Sequence, residues 1–417
     1  MSTLRTPPLS LYVHFPWCVR KCPYCDFNSY TLNGVLAESD YVSQLLADLS
    51  AQAPHVAARV VRSVFLGGGT PSLFTPAAVQ RLLEGVRGLV ALAPDAEITL
   101  EANPATIERG AFREYRAAGV NRVSLGAQSF SAEALTWLGR IHSPDDTRRA
   151  AAELHAAGLT NFNLDLMYGL PRQSLAGAVA DLDSALALGP AHVSHYQLTL
   201  EPGTVFAALP PPLPADDEAA AMLEACRERF AAAGFEQYEV SAYARSGLRC
   251  RHNLNYWTFG DYLGVGAGAH GKLTMRAREA IVRTVHTREP RRYAAGRPPR
   301  PTLHEVTASE RTFEFMLNAL RLPQGFSAGL FRARTGLPWS AATAPLRVAV
   351  ERGLALCSDA GCAPTPLGLR FLNEMLLVFL PEVSEKSGKS GLSTPAPRAA
   401  SQRREPLYTG ARGVGQE

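Results

Sequence analysis

Three cysteines stand within eight residues, where Cys18, Cys22 and Cys25 form a C-x3-C-x2-C pattern. Thiolates in such a run bind metals or carry out redox chemistry. An odd number of thiols cannot all pair, and the sequence before them has one arginine and several prolines rather than the pattern of a secretory signal. A structural disulfide is therefore disfavoured, and zinc, a redox pair and an iron–sulfur cluster have to be compared.

The three interpretations differ in how many of the thiols they use. A structural zinc site needs four ligands, and the nearest fourth candidate is His14, which lies before Pro16 and inside a predicted strand. A thioredoxin-like redox pair would use Cys22 and Cys25 and leave Cys18 unexplained. An iron–sulfur cluster held by three thiolates uses them all and leaves one iron open to an exogenous ligand, because most clusters take four. The last interpretation fits the spacing best.

Alternating strands and helices are predicted to position this loop. An apolar run from Leu11 to Phe15 predicts a buried strand, and Pro16 ends it. Further strands are predicted at 60–66, 96–101, 121–125, 162–168 and 192–200, with helices at 39–53, from 75, and at 106–118, 143–155 and 174–188. Six β-α units predict a parallel sheet but are fewer than the eight of a closed barrel. The predicted fold class is α/β, a partial (β/α)6 TIM-like barrel.

Polar groups and a glycine turn follow the ends of these strands. The turn is Gly67-Gly68-Gly69-Thr70, and Glu101, Gln128 and Asp165 end later strands. Consecutive glycines let a backbone approach a ligand closely, and this turn lacks the lysine of a phosphate-binding loop. In β/α barrels the carboxyl ends of the strands carry the site, so we expect these groups near the cysteines.

The cysteine spacing, with the aromatic Tyr24 before the last cysteine, resembles the radical S-adenosylmethionine (SAM) proteins. The Glu101-x-Asn103-Pro104 element and the runs 122–130 and 163–171 fit the same pattern. The resemblance implies a partial barrel with a [4Fe–4S] cluster on the three cysteines. The open iron would chelate the amino and carboxylate groups of SAM, and one electron would cleave SAM to a 5′-deoxyadenosyl radical.

The same resemblance implies a set of SAM-binding residues: Tyr12, Gly68, Gly69, Thr70, Glu101, Gln128, Arg140 and Asp165. In this assignment the glycine turn meets the methionyl amino group. Glu101 meets that amino group or the ribose hydroxyls by charge-assisted hydrogen bonds. Arg140 reaches the SAM carboxylate, and Tyr12 is both a wall and a hydrogen-bond donor.

A second motif, His252-Asn253-x-x-Tyr256-Trp257, lies far from the cysteines in sequence. Taken alone, a histidine among such neighbours is a satisfied core residue. An imidazole can also ligate iron, and flanking aromatic rings can stack on a porphyrin. The motif resembles the signature of heme chaperones in the coproporphyrinogen III oxidase-like family of radical SAM proteins. That implies heme as a third bound group and membrane hemoproteins as its recipients.

The alternative function within that family is enzymatic, the oxidative decarboxylation of coproporphyrinogen III to protoporphyrinogen IX. The oxygen-independent oxidase that does this has a further cysteine where this sequence has Phe27, and a long arm before its cluster, for which Cys18 lies too near the start. Both differences favour a scaffold without this activity. An electron donor is implied as a partner if SAM is cleaved.

Composition agrees with a reduced compartment and excludes some classes. The net charge of +4 is too small to indicate nucleic-acid binding, and no apolar run is long enough for a transmembrane helix. Four further cysteines, Cys226, Cys250, Cys357 and Cys362, are scattered and predicted to be reduced thiols. The expected location is cytoplasmic, with a peripheral position at the inner membrane face.

The remaining sequence predicts a second, smaller unit. We expect a core domain with its C-terminal extension over 1–300, a winged-helix-like α+β domain over 301–380, and a disordered tail over 381–417. Within the extension, residues 237–243 predict one strand. The glycine-rich run 264–271 superficially matches a dinucleotide fingerprint but lacks a strand–helix context.

Overall fold

The structure is a computed structural model, and it describes residues 4–105, 111–295 and 299–380. The tail predicted over 381–417 and the start of the helix predicted over 106–118 lie outside the described residues.

The strands of the described chain are β1 (Leu9–Phe15), β2 (Trp17–Cys18), β3 (Tyr30–Thr31), β4 (Val60–Gly68), β5 (Ala91–Ala102), β6 (Arg122–Gln128), β7 (Phe162–Tyr168), β8 (His192–Gln197), β9 (Glu236–Glu239), β10 (Ala242–Ala244), β11 (Asp261–Val265), β12 (His270–Met275), β13 (Ala280–Val285), β14 (Thr302–Glu305), β15 (Phe326–Ser327), β16 (Ala355–Ser358) and β17 (Gly361–Pro364). Twelve of them form one sheet in the order β14-β13-β12-β11-β1-β4-β5-β6-β7-β8-β10-β9.

The helices are α1 (Glu38–Gln52), α2 (Pro76–Leu89), α3 (Phe112–Ala118), α4 (Ala132–Trp137), α5 (Pro144–Ala156), α6 (Leu175–Ala187), α7 (Val205–Ala208), α8 (Asp216–Ala232), α9 (Arg251–Trp257), α10 (Pro290–Ala295), α11 (Ala308–Ala319), α12 (Ala328–Thr335), α13 (Ser340–Glu351), α14 (Pro366–Arg370) and α15 (Leu372–Leu376).

The six predicted parallel strands are confirmed as β1, β4, β5, β6, β7 and β8, each pairing parallel with the next. Side chains alternate between the two faces of each strand. In β1, Leu11 and Val13 enter the hydrophobic core under the helices, whereas Tyr12 and His14 point to the opposite, inner face. This alternation gives an apolar outer layer and a polar interior, which is where chemistry can be placed.

The sheet is wider than the sequence predicted. β11 pairs parallel with β1 as a seventh parallel strand, and β12, β13 and β14 continue from it antiparallel. The glycine-rich run therefore leads from a strand into an antiparallel strand and not into a helix. The single strand predicted over 237–243 is wrong, because that segment folds back as the antiparallel pair β9 and β10.

The C-terminal helices and a small sheet of order β15-β17-β16 surround a second core. Its central side chains include Phe315, Phe331 and Leu346. The hairpin sets Cys357 directly opposite Cys362, and their sulfurs are bonded at 2.04 Å. The prediction of reduced thiols is thus wrong for this pair, because cross-strand register brings together two residues that look scattered in sequence. Within the described residues no helix is long and apolar enough to cross a membrane.

Candidate functional site

One large cavity opens at the carboxyl ends of the parallel strands. Its empty space, with the solvent at its open mouth included, is about 1520 Å³. Every residue that the sequence placed in a site lines it: Tyr12, Cys18, Cys22, Cys25, Gly68, Gly69, Thr70, Glu101, Gln128, Arg140, Asp165, His252, Asn253, Tyr256 and Trp257. The two motifs, more than two hundred residues apart in sequence, therefore share one cavity.

The cysteine loop is braced at both ends. β2 and β3 pair parallel, so that Cys18 lies opposite Thr31, and the amide of Cys25 donates to the carbonyl of Cys22 at 3.1 Å. Within the described residues none of the three forms a disulfide, and all three are half-buried. Burial raises the pKa of the Cys18 thiol to about 11; a hydrogen bond with Thr70 opposes that rise, and the other two thiols add to it. The thiols are thus close enough to influence one another's charge.

The donor set fits an iron–sulfur cluster better than zinc. In the described chain no three cysteine, histidine or acidic side chains converge as they would around a single ion. His14, the fourth ligand that zinc would need, has both ring nitrogens engaged. Its Nε2 donates to the carbonyl of Asn28 at 2.9 Å, so its Nδ1 accepts from the Tyr12 hydroxyl at 2.9 Å. Three thiols around one wall of a cavity, without a fourth protein ligand, suit a cluster with an open iron.

The glycine turn lies directly under the cysteine loop. Gly68 has φ +111°, and a Cβ there would meet the His14 ring at 2.5 Å. A Cβ on Gly69 would lie 2.6 Å from the carbonyl oxygen of Trp17 and 2.8 Å from that of Phe15. Both positions therefore require glycine, and a side chain at Gly69 would displace the segment that leads into Cys18.

Glu101 closes the turn on its other side. Its Oε2 accepts from the amide of Gly68 at 3.0 Å, which fixes the carboxylate beside the turn. Burial, and then the Glu101 carboxylate, raise the pKa of Tyr12 well above 10. The Tyr12 hydroxyl donates its hydrogen bond to His14, so Tyr12 offers a ligand its ring and its oxygen lone pairs. Its role as a wall and donor to SAM stays a prediction, and in this structure the hydroxyl hydrogen is already engaged.

Gln128 and Arg140 sit near the cluster end of the cavity. Gln128 ends β6 with φ 67°, a left-handed conformation uncommon for a residue with a side chain, and its Oε1 accepts from the Tyr196 hydroxyl at 2.7 Å. One terminal nitrogen of Arg140 donates to the Gly126 carbonyl at 2.8 Å, and the other lies 3.7 Å from the sulfur of Cys22. Arg140 thus brings a positive charge to the cluster loop.

Asp165 belongs to a hydrogen-bonded layer inside the barrel. It accepts from Ser124 at 3.3 Å and from the Asn163 amide at 2.9 Å. Asn163 in turn accepts from Ser194 at 3.1 Å and is 2.7 Å from the ring of His192. This layer holds the carboxylate in one orientation at the middle of the cavity.

The second motif forms the short helix α9, which one carboxylate ties to the barrel. Glu97 on β5 accepts from the amides of Arg251 at 3.0 Å and His252 at 3.1 Å. A negative charge at the start of a helix satisfies unpaired amides there. These two hydrogen bonds hold the start of α9 against β5, so that α9 faces the same interior as the cysteines. Nothing in the sequence indicated this role for Glu97.

His252 is a buried, fully engaged imidazole. Its Nδ1 lies 3.0 Å from the Ser63 hydroxyl and its Nε2 lies 2.9 Å from the Tyr256 hydroxyl. Burial, followed by the charge of Arg122, lowers its pKa to about 3. The expected heme-iron ligand would therefore have to give up one of these hydrogen bonds, and the structure places His252 as the residue that positions Tyr256.

Trp257 is 3% exposed and lines the cavity, and the guanidinium of Arg321 lies 4.3 Å from its ring centroid. Arg321 is itself held by Glu239 at 2.7 Å. The indole Nε1 of Trp257 is buried and has no hydrogen-bond partner among the described residues. An indole ring on the cavity wall beside Asn253 and Tyr256 suits a flat ligand.

The cavity also has lining residues that the sequence analysis missed. They include Phe65, Arg122, Ser124, Asn163, Ser194 and Tyr196. Phe65 and Arg122 lie on predicted strands, where period-two alternation could have placed them on the inner face. Tyr196 lies on the strand predicted over 192–200, so the same alternation applies to it, but its contact with Gln128 across the barrel is visible only in the structure.

Comparison with known proteins agrees with this geometry. Residues 12–184 match the radical SAM superfamily and residues 306–371 match the HemN C-terminal domain. The chain is 49% identical to the heme chaperone HemW of Escherichia coli (strain K12), over 91% of this chain and 100% of that protein. It is 44% identical to the heme chaperone HemW of Haemophilus influenzae, over 91% and 99%. The solved structure of coproporphyrinogen III oxidase (HemN) from Escherichia coli, described as a radical SAM enzyme, superposes with a TM-score of 0.76 at 22% identity, over 90% of each chain.

Proposed function

We propose that this chain, which belongs to the heme chaperone HemW family of radical SAM proteins, binds heme in the cavity of its partial barrel and passes it to recipient hemoproteins. One observation carries the proposal: the His252-Asn253-x-x-Tyr256-Trp257 motif lines the same cavity as the three cysteines. The HemN structure has a low sequence identity to this chain and supports the fold alone.

Two cofactors accompany the heme in this proposal. Cys18, Cys22 and Cys25 would hold a [4Fe–4S] cluster, and the open iron would take SAM. When bound, the pair supplies one-electron chemistry at the cavity mouth. The protein's own part is to bind and orient SAM: Gly68 and Gly69 allow close approach, Glu101 accepts from its amino group or ribose, and Arg140 neutralises its carboxylate.

Heme is the cargo in this proposal, held by the half of the cavity that α9 lines. The indole ring of Trp257 lines the cavity, and an aromatic ring there suits stacking on a porphyrin. Because both nitrogens of His252 are engaged, its contribution is to hold Tyr256 and α9 in place.

The enzymatic alternative, decarboxylation of coproporphyrinogen III, has less support. Phe27, which stands where the oxidase resembled in sequence has a further cysteine, lies half-buried on the cavity wall and offers no ligand or redox group. We therefore propose that the chain lacks this activity. We further propose a cytoplasmic protein that meets membrane-associated recipients at the inner face, and an electron donor as a partner where SAM is cleaved.

The test is an anaerobic titration of the reconstituted protein with heme, paired with incubation with coproporphyrinogen III, SAM and a reductant. We expect stoichiometric heme binding and no protoporphyrinogen. Trp257→Ala should weaken heme binding by about 1–3 kcal/mol, taking stacking on nucleobases as the guide. Its matched control is Trp137→Ala, because Trp137 is half-buried, also lies under an arginine at 5.7 Å, and is outside the cavity lining.

Decarboxylation by the wild-type protein, without heme binding, would refute the proposal. Heme affinity lowered equally by both tryptophan substitutions would show a general loss of stability and not a heme site on α9.

A further inference from the structure

Arg122 is a buried positive charge in the cavity that neither cofactor assignment uses. It is the first residue of β6, is 2% exposed and lines the cavity. Its Nε has no hydrogen-bond partner. Within residues 4–105, 111–295 and 299–380, its side chain donates no hydrogen bond and forms no ion pair. Buried charges are normally paired and hydrogen-bonded because an unpaired one is costly, so the unused donors of Arg122 need an explanation.

The carboxylates near Arg122 are engaged elsewhere. Glu97 and Asp165 both favour its charged form electrostatically. Glu97, however, accepts from the amides at the start of α9, and Asp165 accepts from Ser124 and Asn163. These two acids compensate the charge of Arg122 electrostatically without accepting its hydrogen bonds. The N–H donors of its planar guanidinium are therefore left for a group that enters the cavity.

The position of Arg122 separates it from the cluster end. Arg140 marks that end, since it contacts Cys22 and the carbonyl of Gly126. Arg122 precedes Gly126 by four residues on the same strand, which at about 3.3 Å per residue is roughly 13 Å toward the amino end. There its electrostatic neighbours include Cys250 and Tyr238, and Cys250 is the residue from which α9 starts. Arg122 thus faces the half of the cavity that α9 lines.

We propose that Arg122 binds a carboxylate of the tetrapyrrole, a propionate of heme, inside the cavity. The choice of heme as the ligand rests on the proposed function. The burial of Arg122 in the cavity wall and its unused Nε donor are observed independently of that function. A guanidinium matches a carboxylate with two parallel N–H···O bonds, which a lysine cannot reproduce. The other carboxylate that enters this cavity is that of SAM, which the cluster end and Arg140 would hold.

The test compares heme with heme dimethyl ester, in which both propionates are esterified. Each is titrated into the reconstituted wild type, Arg122→Gln and Arg122→Lys, and SAM is titrated in parallel. We expect Arg122→Gln to lower heme affinity about ten- to a hundred-fold, as for the loss of a charged hydrogen-bonded contact, and to leave the ester's affinity unchanged. Arg122→Lys should fall between the wild type and Arg122→Gln, because it keeps the charge and loses the fork.

The matched control is Arg227→Gln. The Nε of Arg227 is also buried without a partner, but its side chain lies outside the cavity lining. It should bind heme as the wild type does. Far-UV circular dichroism and iron content check that each variant folds and holds its cluster.

Three results would overturn the proposal. Equal loss of heme and ester affinity in Arg122→Gln would mean a structural role. Loss of SAM affinity with heme affinity intact would mean that the carboxylate is that of SAM. If Arg122→Gln fails to fold, a wild type that binds the ester as tightly as heme would refute the propionate contact. A wild type that binds neither form would instead refute the proposed function, and the site with it.

Discussion

Replacing Glu97 by glutamine should weaken the attachment of α9, which carries the His252-Asn253-x-x-Tyr256-Trp257 motif, to the barrel. The iron–sulfur cluster should not be affected. Glu97 is 7% exposed on β5, and its two carboxylate oxygens accept from the amides of Arg251 and His252. The thiol of Cys250 lies 3.5 Å from the same carboxylate. One side chain therefore satisfies the start of α9, a helix too short to hold its position alone.

The size of the effect follows from these contacts. Glutamine keeps one acceptor oxygen but turns an NH2 group toward an amide that also donates. The loss of one charge-assisted hydrogen bond costs about 1.5–3 kcal/mol, and the loss of the negative charge at the helix start adds about 0.3–1 kcal/mol. We expect Glu97→Gln to be about 2–4 kcal/mol less stable than the wild type.

Guanidinium denaturation measures this difference, and amide hydrogen exchange over residues 251–257 shows where it falls. Exchange should speed up in α9, and heme affinity should fall with it, whereas SAM affinity and iron content should not change. Glu84→Gln is the control, since Glu84 is exposed and accepts a hydrogen bond from Gln80, and a change there should stay within about 0.5 kcal/mol. Unchanged stability and unchanged exchange in Glu97→Gln would refute this account of α9.

Three further predictions concern the cluster, SAM and pH. Replacing any of the three cluster cysteines by alanine should abolish a cluster of about four irons and four sulfides, measured after anaerobic reconstitution; full zinc occupancy without iron uptake would contradict it. Glu101→Ala should weaken SAM binding about ten- to a hundred-fold by calorimetry and leave the iron content intact, and an unchanged affinity would move the SAM site elsewhere. Burial lowers the pKa of His195 to about 3, and among the described residues neither of its ring nitrogens has a hydrogen-bond partner. The stabilisation that comes from burying the neutral imidazole is therefore complete above the unfolded pKa of about 6.5 and is lost as the pH falls toward 3. Between pH 7.5 and pH 5 the free energy of unfolding should fall by about 2 kcal/mol from this group. His195→Phe should lose that much less stability over the same interval in denaturation measured at both pH values, and an identical loss in both proteins would be evidence against a buried neutral imidazole.

The barrel could be predicted from the sequence because each of its strands and helices is indicated by a short segment of the chain. Each strand from β1 to β8 is a short apolar run, and the helices between them have ordinary lengths and caps, so their order and parallel pairing could be predicted. β11 has a weaker signal, because Gly264 interrupts its short apolar run, and the strand is fixed by pairing with β1 on one side and β12 on the other. The Cys357–Cys362 pair likewise depends on the register of one hairpin.

The candidate site divides in the same way. The cysteines and the strand-end groups followed from spacing and from the rule that barrel sites lie at the carboxyl ends of strands. The engagement of both nitrogens of His252, the anchoring of α9 by Glu97 and the unpaired fork of Arg122 depend on contacts between strands far apart in sequence. No pattern within a single segment contains that information.

The most direct test of the central claim is a heme-transfer measurement. The anaerobically reconstituted protein is loaded with one equivalent of heme, freed of excess heme, and mixed with increasing amounts of an apo-hemoprotein whose Soret band differs. A chaperone that hands heme over by contact predicts that the recipient's band grows at a rate that rises with recipient concentration. A rate independent of recipient concentration, or heme that stays on the loaded protein, would contradict the account.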